Sequence, residues 1–372
     1  NWSNKMRDTF DKVVMVDNKK EQIRNSMMQS KAKVSKLGVQ IAAAAAALVI
    51  ATPFVVNAAT GGELFGRIWG NIGKNNVPSH QVTVIEDGKK DEHGNPVTHT
   101  AVMPRIEYVS QDPEEAERLI GGKYTTDPVT TTIGDTSVTV NTVVRDGMGY
   151  VVAFSVEREA GVDVFKYSQQ DNEGMGARFN EDSKIEFGFE GGEGKIWVDL
   201  ERSTKTKLYC YEYLSELSVL YANGEAAPIG DHITLVCREF TKTRKEISDM
   251  NLAKGDKSFV KEEKEIKIPV ADKLASKTFK SSTGETVKVS PIAMQWDSTG
   301  GKESKGNTLD SVNRFKITYK DGTEYVVFDR KDPVANYGIL STSDTGFVVL
   351  FNRLVDTEKI AKITINDTDF AM

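Results

Sequence analysis

The chain has 372 residues, with 54 acidic against 48 basic side chains and a net charge of −6. An acidic surface argues against nucleic acid as a partner, and four scattered histidines (His80, His93, His99, His232) provide no metal cluster. The length is too great for one ordinary domain and natural for two beside a membrane span.

Residues 1–36 read as a basic helical segment. Phe10, Val13 and Val14 stand at helical spacing, and Asn18-Lys19-Lys20-Glu21 forms a capping box before a helix with Ile23, Met27 and Met28 on one face. So few residues cannot bury a core of their own, so a partner completes that apolar face, or it lies against anionic lipid.

From Leu37 to Ala59 there is no charged residue. A helix of that length runs roughly 34 Å, enough to cross a hydrocarbon core of about 30 Å once, with a kink expected at Pro53. The competing reading is a secretory signal cut after Ala58, behind the small-residue site Val56-Asn57-Ala58. The segment before the span holds nine Lys/Arg and four acids, net +5, so the remainder carries −11 of the total −6. The positive-inside rule then places the N-terminus in the cytoplasm and the acidic bulk outside.

Residues 60–79 form a connector in which Leu64, Phe65, Ile68, Trp69 and Ile72 repeat at helical spacing. This predicts an amphipathic helix at the membrane interface, with Phe65, Ile68 and Trp69 against lipid; a packed lid under the next domain is the alternative.

Residues 80–245 read as a first β domain. Strands flank the polar turn Asp87–Pro96, and Asp112-Pro113-Glu114-Glu115, closed by Gly121-Gly122, marks one short helix. Ser137–Val144 and Tyr150–Glu157 form a hairpin, followed by strands at Lys184–Glu190, Lys195–Glu201, Lys207–Tyr213 and His232–Phe240. Cys210 and Cys237 form a candidate disulfide, weighed against free buried thiols. The glycine-rich stretch from Gly188 to Lys195 lacks the spacing and the Ser/Thr of a phosphate loop and reads as a hairpin turn. Asp87–Asn95 lacks the ligand pattern of a Ca²⁺ loop.

A polar stretch from Thr241 to Lys257 marks a boundary, and residues 258–372 read as a second sandwich. Its strands are expected at Glu265–Val270, Thr286–Trp296, Asn313–Tyr319, Thr323–Asp329, Gly346–Asn352 and Lys362–Asn366, with a short helical turn at Asp356–Ala361. The fold class is therefore mostly β: short N-terminal cytoplasmic helices, one transmembrane helix, and two extracytoplasmic sandwich-like domains with minor helix. No nucleophile elbow, Cys/His pair or zinc-protease motif stands in the exported part, and no cofactor motif, so the expectation is a protein that is not an enzyme.

The leader DTFDKVVMVDNKKEQIRNSMMQ, the Ala-rich span, the connector GGELFGRIWGNIG and the ending LVDTEKIAKITIND together resemble the membrane-bound anti-sigma-factor-like proteins of Gram-positive Firmicutes. The resemblance covers the layout of the whole chain. It implies a cytoplasmic segment that holds a sigma factor and exported domains that register an envelope signal. Zinc-type anti-sigma domains carry a His/Cys cluster that residues 1–36 lack, so a segment of this kind is zinc-free. In that reading Phe10, Val13, Val14, Ile23 and Met27 dock on the sigma factor, and the bilayer and an envelope ligand or protein are the other partners. The alternative is a membrane-anchored or secreted cell-surface module with an inert leader.

Overall fold

The computed structural model describes residues 63–69, 76–90, 92–125, 127–167, 176–189, 193–215, 230–250, 257–297, 312–342 and 346–372. The leader, with Phe10, Val13, Val14, Ile23 and Met27, and the apolar run 37–59 lie outside these residues. Among the described residues no helix is long and apolar enough to cross a membrane.

The described chain is mostly β. It opens with α1 (Glu63–Ile68), then a long hairpin of β1 (His80–Lys90) and β2 (Pro96–Met103), then α2 (Pro113–Ile120). The start of α2 follows from its sequence: the Asp112 side chain accepts from the Glu115 N–H, Pro113 fills the first turn, and Gly121 closes the helix at φ +60°.

A first sandwich follows. One sheet runs in the order β3 (Val129–Ile133), β4 (Thr136–Arg145), β5 (Gly149–Glu157), β10 (Lys207–Ser215), β9 (Glu193–Val198). Facing it are β12 (Val260–Pro269), β11 (His232–Phe240) and β8 (Ile185–Phe189), all antiparallel. The small pair β6 (Phe165–Lys166) and β7 (Arg178–Phe179) closes one side, and α3 (Arg244–Asp249) follows β11 behind a Thr243/Glu246 capping box. Val152, Phe154, Phe187, Leu235 and Ile268 fill the space between the sheets.

Two expectations need correction here. Strand β12 begins inside the region assigned to the second domain, yet it pairs with β11 and turns Ile266 and Ile268 into the first core. The change of sheet therefore falls between Pro269 and Lys277 rather than near residue 258. The stretch from Gly188 to Lys195 is no hairpin turn either, because β8 pairs with β11 whereas β9 pairs with β10 in the opposite sheet.

The second sandwich packs a sheet of β13 (Lys277–Lys280), β14 (Thr286–Val289), β15 (Ala293–Asp297), β20 (Gly346–Phe351) and β19 (Tyr337–Thr342). Its partner sheet is β18 (Val334–Ala335), β17 (Glu324–Asp329), β16 (Arg314–Tyr319), β21 (Ile360–Ile365) and β22 (Thr368–Phe370). The single strand expected over Thr286–Trp296 is two, broken at Ser290-Pro291-Ile292, where proline supplies no N–H to a ladder. The helical turn expected at Asp356–Ala361 is a turn that enters strand at Ile360.

A third apolar cluster joins the sandwiches. The outer face of the first sheet (Val144, Val151, Ala153, Trp197, Tyr211, Tyr213) meets the outer face of the second (Ala293, Ile339, Val348, Leu350), with α1 and α2 packed into the same cluster. Strands β5 and β20 are thus covered on both faces, which is why GYVVAFSV and GFVVLF are buried almost without alternation.

Candidate functional site

The junction between the sandwiches gathers the unusual side chains of the described chain. Helix α1 lies in it with Leu64, Phe65, Ile68 and Trp69 all buried. The Tyr213 hydroxyl donates to the Ile68 carbonyl, and the Phe65 ring meets Tyr124 edge-on at 4.9 Å between centroids. Arg67 reaches Asp199 at 3.3 Å and Glu201 at 3.5 Å, and Asp199 also accepts from the Tyr211 hydroxyl at 3.1 Å. Burial raises both tyrosine phenols above their ordinary range.

The interface expectation for Phe65, Ile68 and Trp69 is therefore corrected. Their apolar stripe faces protein, since two sheet faces and α2 offer it a dry cluster, and no side of it is left for lipid. A void of ≈ 10 Å³ remains beside Ile68, Trp197, Tyr213 and Tyr337, no more than the room of one water.

The β4–β5 turn inserts a carboxylate into the junction. Asp146 Oδ1 accepts the N–H groups of Met148 at 2.7 Å and Gly149 at 3.0 Å, while Oδ2 accepts from the Ser290 hydroxyl of the second sandwich. Ser290 Oγ in turn accepts from the N–H groups of Ile292 and Ala293, each at 3.0 Å. Burial raises the Asp146 carboxyl above the ordinary range, and these hydrogen bonds offset only part of it. Arg145 ties the linker alongside, donating to the carbonyls of Ala271 and Gly230.

The segment after the hairpin is strapped to the second sandwich. Arg105 N donates to Pro333 O, Ala335 N to Arg105 O, and Asn352 and Arg353 both donate to the Glu107 carbonyl. Further along, Arg118 pairs with Glu115 at 2.7 Å and with Asp356 at 2.5 Å, and Lys359 reaches Glu115 at 3.1 Å. The Arg118 guanidinium holds the Glu115 carboxyl down to about 2.

Two further charges are misplaced by ordinary burial rules. Glu212 sits on β10 between Val152 of β5 and Ile196 of β9, facing the first core, and burial pushes it up to about 8. Its carboxylate lies over Gly194, where any Cβ would collide with it. Lys195, on the other face of the sheet, places Nζ 4.5 Å from the centroid of the Trp197 ring, and burial lowers its ammonium to about 8. The sequence flags Glu212 only as the one acid inside YCYEYL, and Asp146 only as an ordinary turn residue.

Cys210 and Cys237 are buried and unbridged. They lie on facing sheets of the first sandwich, and facing sheets stand about 10 Å apart, whereas a disulfide needs Cα atoms within about 7 Å. The candidate bridge is thus corrected to two free thiols. Burial raises both, Cys237 to about 12. Neither should react with an aromatic disulfide reagent in native buffer at pH 8, and both should react fully in denaturant; early labelling would place them outside the core.

Elsewhere, an open groove of ≈ 480 Å³ on the first sandwich is lined by Asp135, Arg158, Asp163, Asp182, Glu239 and Lys261. Arg158 pairs there with Asp135 and Asp163, Lys261 with Glu239, and Asp182 with Lys166 beside the groove. Among the described residues no group of three or more His, Cys, Asp or Glu is placed to hold a metal.

No protein-family model matches the chain, and no curated protein does. A solved structure described as the conserved domain protein from Bacillus anthracis is similar over 66% of this chain and 78% of its own, at 15% identity and a TM-score of 0.33.

Proposed function

We propose that this chain is a single-pass membrane regulator of the anti-sigma type. Residues 1–36 hold an extracytoplasmic-function sigma factor through Phe10, Val13, Val14, Ile23 and Met27, the run 37–59 crosses the membrane, and the two sandwiches register an envelope signal. One structural observation carries the reading beyond layout and charge. Only three residues separate Ala59 from Glu63, and the helix that starts there is packed in the junction between the sandwiches. A transducer needs such continuity, because a change in the outer domains must reach the chain where it enters the span.

On the inner side, burying four or five apolar side chains at about 1.5–3 kcal/mol each, less the cost of ordering them, suffices for micromolar binding or better. Capture of the co-encoded sigma factor by the full chain should weaken at least ~100-fold when Val14→Asp and Ile23→Asp are combined. Binding that ignores both charges would sink the proposal.

The β1–β2 hairpin favours the second reading, a cell-surface binding module. Among the described residues its strands pair only with each other, Val102 is exposed, and a two-stranded ribbon is marginal alone. Deleting residues 1–36 separates the two: regulation is lost under the first reading, and surface binding survives under the second.

A further inference from the structure

We infer that α1 with Trp69, residues 63–69, forms a releasable latch: this segment leaves the junction while both sandwiches stay folded, and its departure uncovers the faces of Tyr213 and Trp197 that it covers.

Three observations carry this. The first concerns the helix itself. Six residues make too short a helix to persist in water, so α1 exists only while docked. Its docking is also imperfect. The indole N–H groups of Trp69 and Trp197 are buried without a hydrogen-bond partner, and each such group subtracts from what burial of the rings contributes.

The second is the division of the cores. Each sandwich has its own apolar cluster, and α1 contributes to neither; its four apolar side chains belong to the third cluster, between the sandwiches. Removing α1 therefore takes nothing from the packing inside either sandwich. The Asp146–Ser290 contact, on the β4–β5 turn, continues to join them.

The third is where the movement must stop. Val77 pairs with Ile106 through both N–H···O bonds at 2.9 Å, and the strap beyond is bonded to the second sandwich at Arg105 and Glu107. Release of α1 thus meets a fixed point at Val77. Among the polar links that hold residues 63–69 in the junction are the Tyr213–Ile68 bond and the Arg67 pairs with Asp199 and Glu201. Ile68, Tyr213 and Trp197 line one small void, so withdrawing Ile68 opens it to solvent. The inference concerns the two-sandwich unit alone and stands whether or not residues 1–36 bind a sigma factor.

The test uses the full chain in lipid nanodiscs carrying Ile68→Cys, with native Cys210 and Cys237 as internal reporters of the first sandwich. In native buffer the thiol introduced at position 68 should label at least ~100-fold faster than Cys210 and Cys237, because local release costs less than global unfolding. Adding Tyr213→Phe, which deletes only the bond to the Ile68 carbonyl, should speed that labelling by about tenfold and leave the two native cysteines unchanged. Equal rates for all three thiols, with the same denaturant dependence, would make α1 part of one cooperative unit and overturn the inference. So would a Tyr213→Phe effect shared by Cys210 and Cys237, or none at all. Should Ile68→Cys expose the native thiols by itself, Leu64→Cys, at the other end of α1, repeats the comparison; exposure there as well counts against the latch.

Discussion

Between about pH 5 and pH 9 Glu212 should lower the unfolding free energy by as much as about 4 kcal/mol, and Glu212→Gln should remove that part of the fall. Glu212 is held at about 8 in the folded chain, against an ordinary value of 4.5. Below pH 4.5 the carboxyl is protonated whether the chain is folded or not, and burying it costs little more than burying an amide. Above that, the unfolded chain releases the proton freely while the folded chain retains it, so stability declines until the pH passes about 8. There the folded state carries a buried carboxylate and the loss is complete.

Asp146, whose carboxyl burial also raises, acts in the same sense and leaves its own share of the fall in Glu212→Gln, whereas the paired surface carboxylates titrate below this window. Glu115, held at about 2 by Arg118, and Glu263, lowered by Lys257 and Arg238, contribute stability that disappears only in acid. Lys195, lowered to about 8, acts in the opposite sense: its contribution is present above pH 10.5 and lost as pH falls through 8. Glu212→Gln keeps the shape over Gly194 and removes the charge, so the variant should be the more stable protein at pH 9 and nearly equal to the parent at pH 5. Denaturant titrations at pH 5, 7 and 9 measure this, and parallel profiles for parent and variant would show that Glu212 is not the group responsible.

The same residue marks where sequence patterning stops being legible. In Lys207–Ser215, Leu208, Cys210 and Leu214 alternate with Tyr211 and Tyr213, a period of two that predicts a strand but assigns only one face to a core. The tyrosine face is equally buried, because a second sandwich covers it. The uninterrupted apolar runs of β5 and β20 are the stronger clue, since a strand with one wet face would not carry them. The α2 start and the β4–β5 hairpin were readable because caps and turns are local chemistry. The placement of β12 was not, because a polar linker before a strand says nothing about which sheet the strand will join. The α1 stripe was ambiguous for a related reason: amphipathicity gives the width of an apolar face and leaves open whether lipid or protein meets it.

Asp146→Ala should be the more destructive of the two changes at the domain contact, costing about 3–5 kcal/mol, because it strands several buried donors at once. The Met148 and Gly149 N–H groups lose their acceptor inside a turn that is itself buried, and the Ser290 hydroxyl loses its acceptor across the junction. Ser290→Ala should cost less, about 2–3 kcal/mol, since it frees the N–H groups of Ile292 and Ala293 and one carboxylate oxygen. The two residues share one bond, so the double variant should be less damaged than the sum by roughly 1–3 kcal/mol. Asp146→Asn keeps an oxygen for the two turn N–H groups and should fall between parent and Asp146→Ala. Additivity within about 0.5 kcal/mol would mean that the turn, rather than the contact between sandwiches, carries the loss. A measured coupling would have a mechanical consequence. The Asp146–Ser290 contact and α1 engage different elements, the β4–β5 turn in one case and β9 and β10 in the other. Releasing α1 with that contact intact leaves the sandwiches attached through the β4–β5 turn and through the packing of β9 and β10 on β19 and β20.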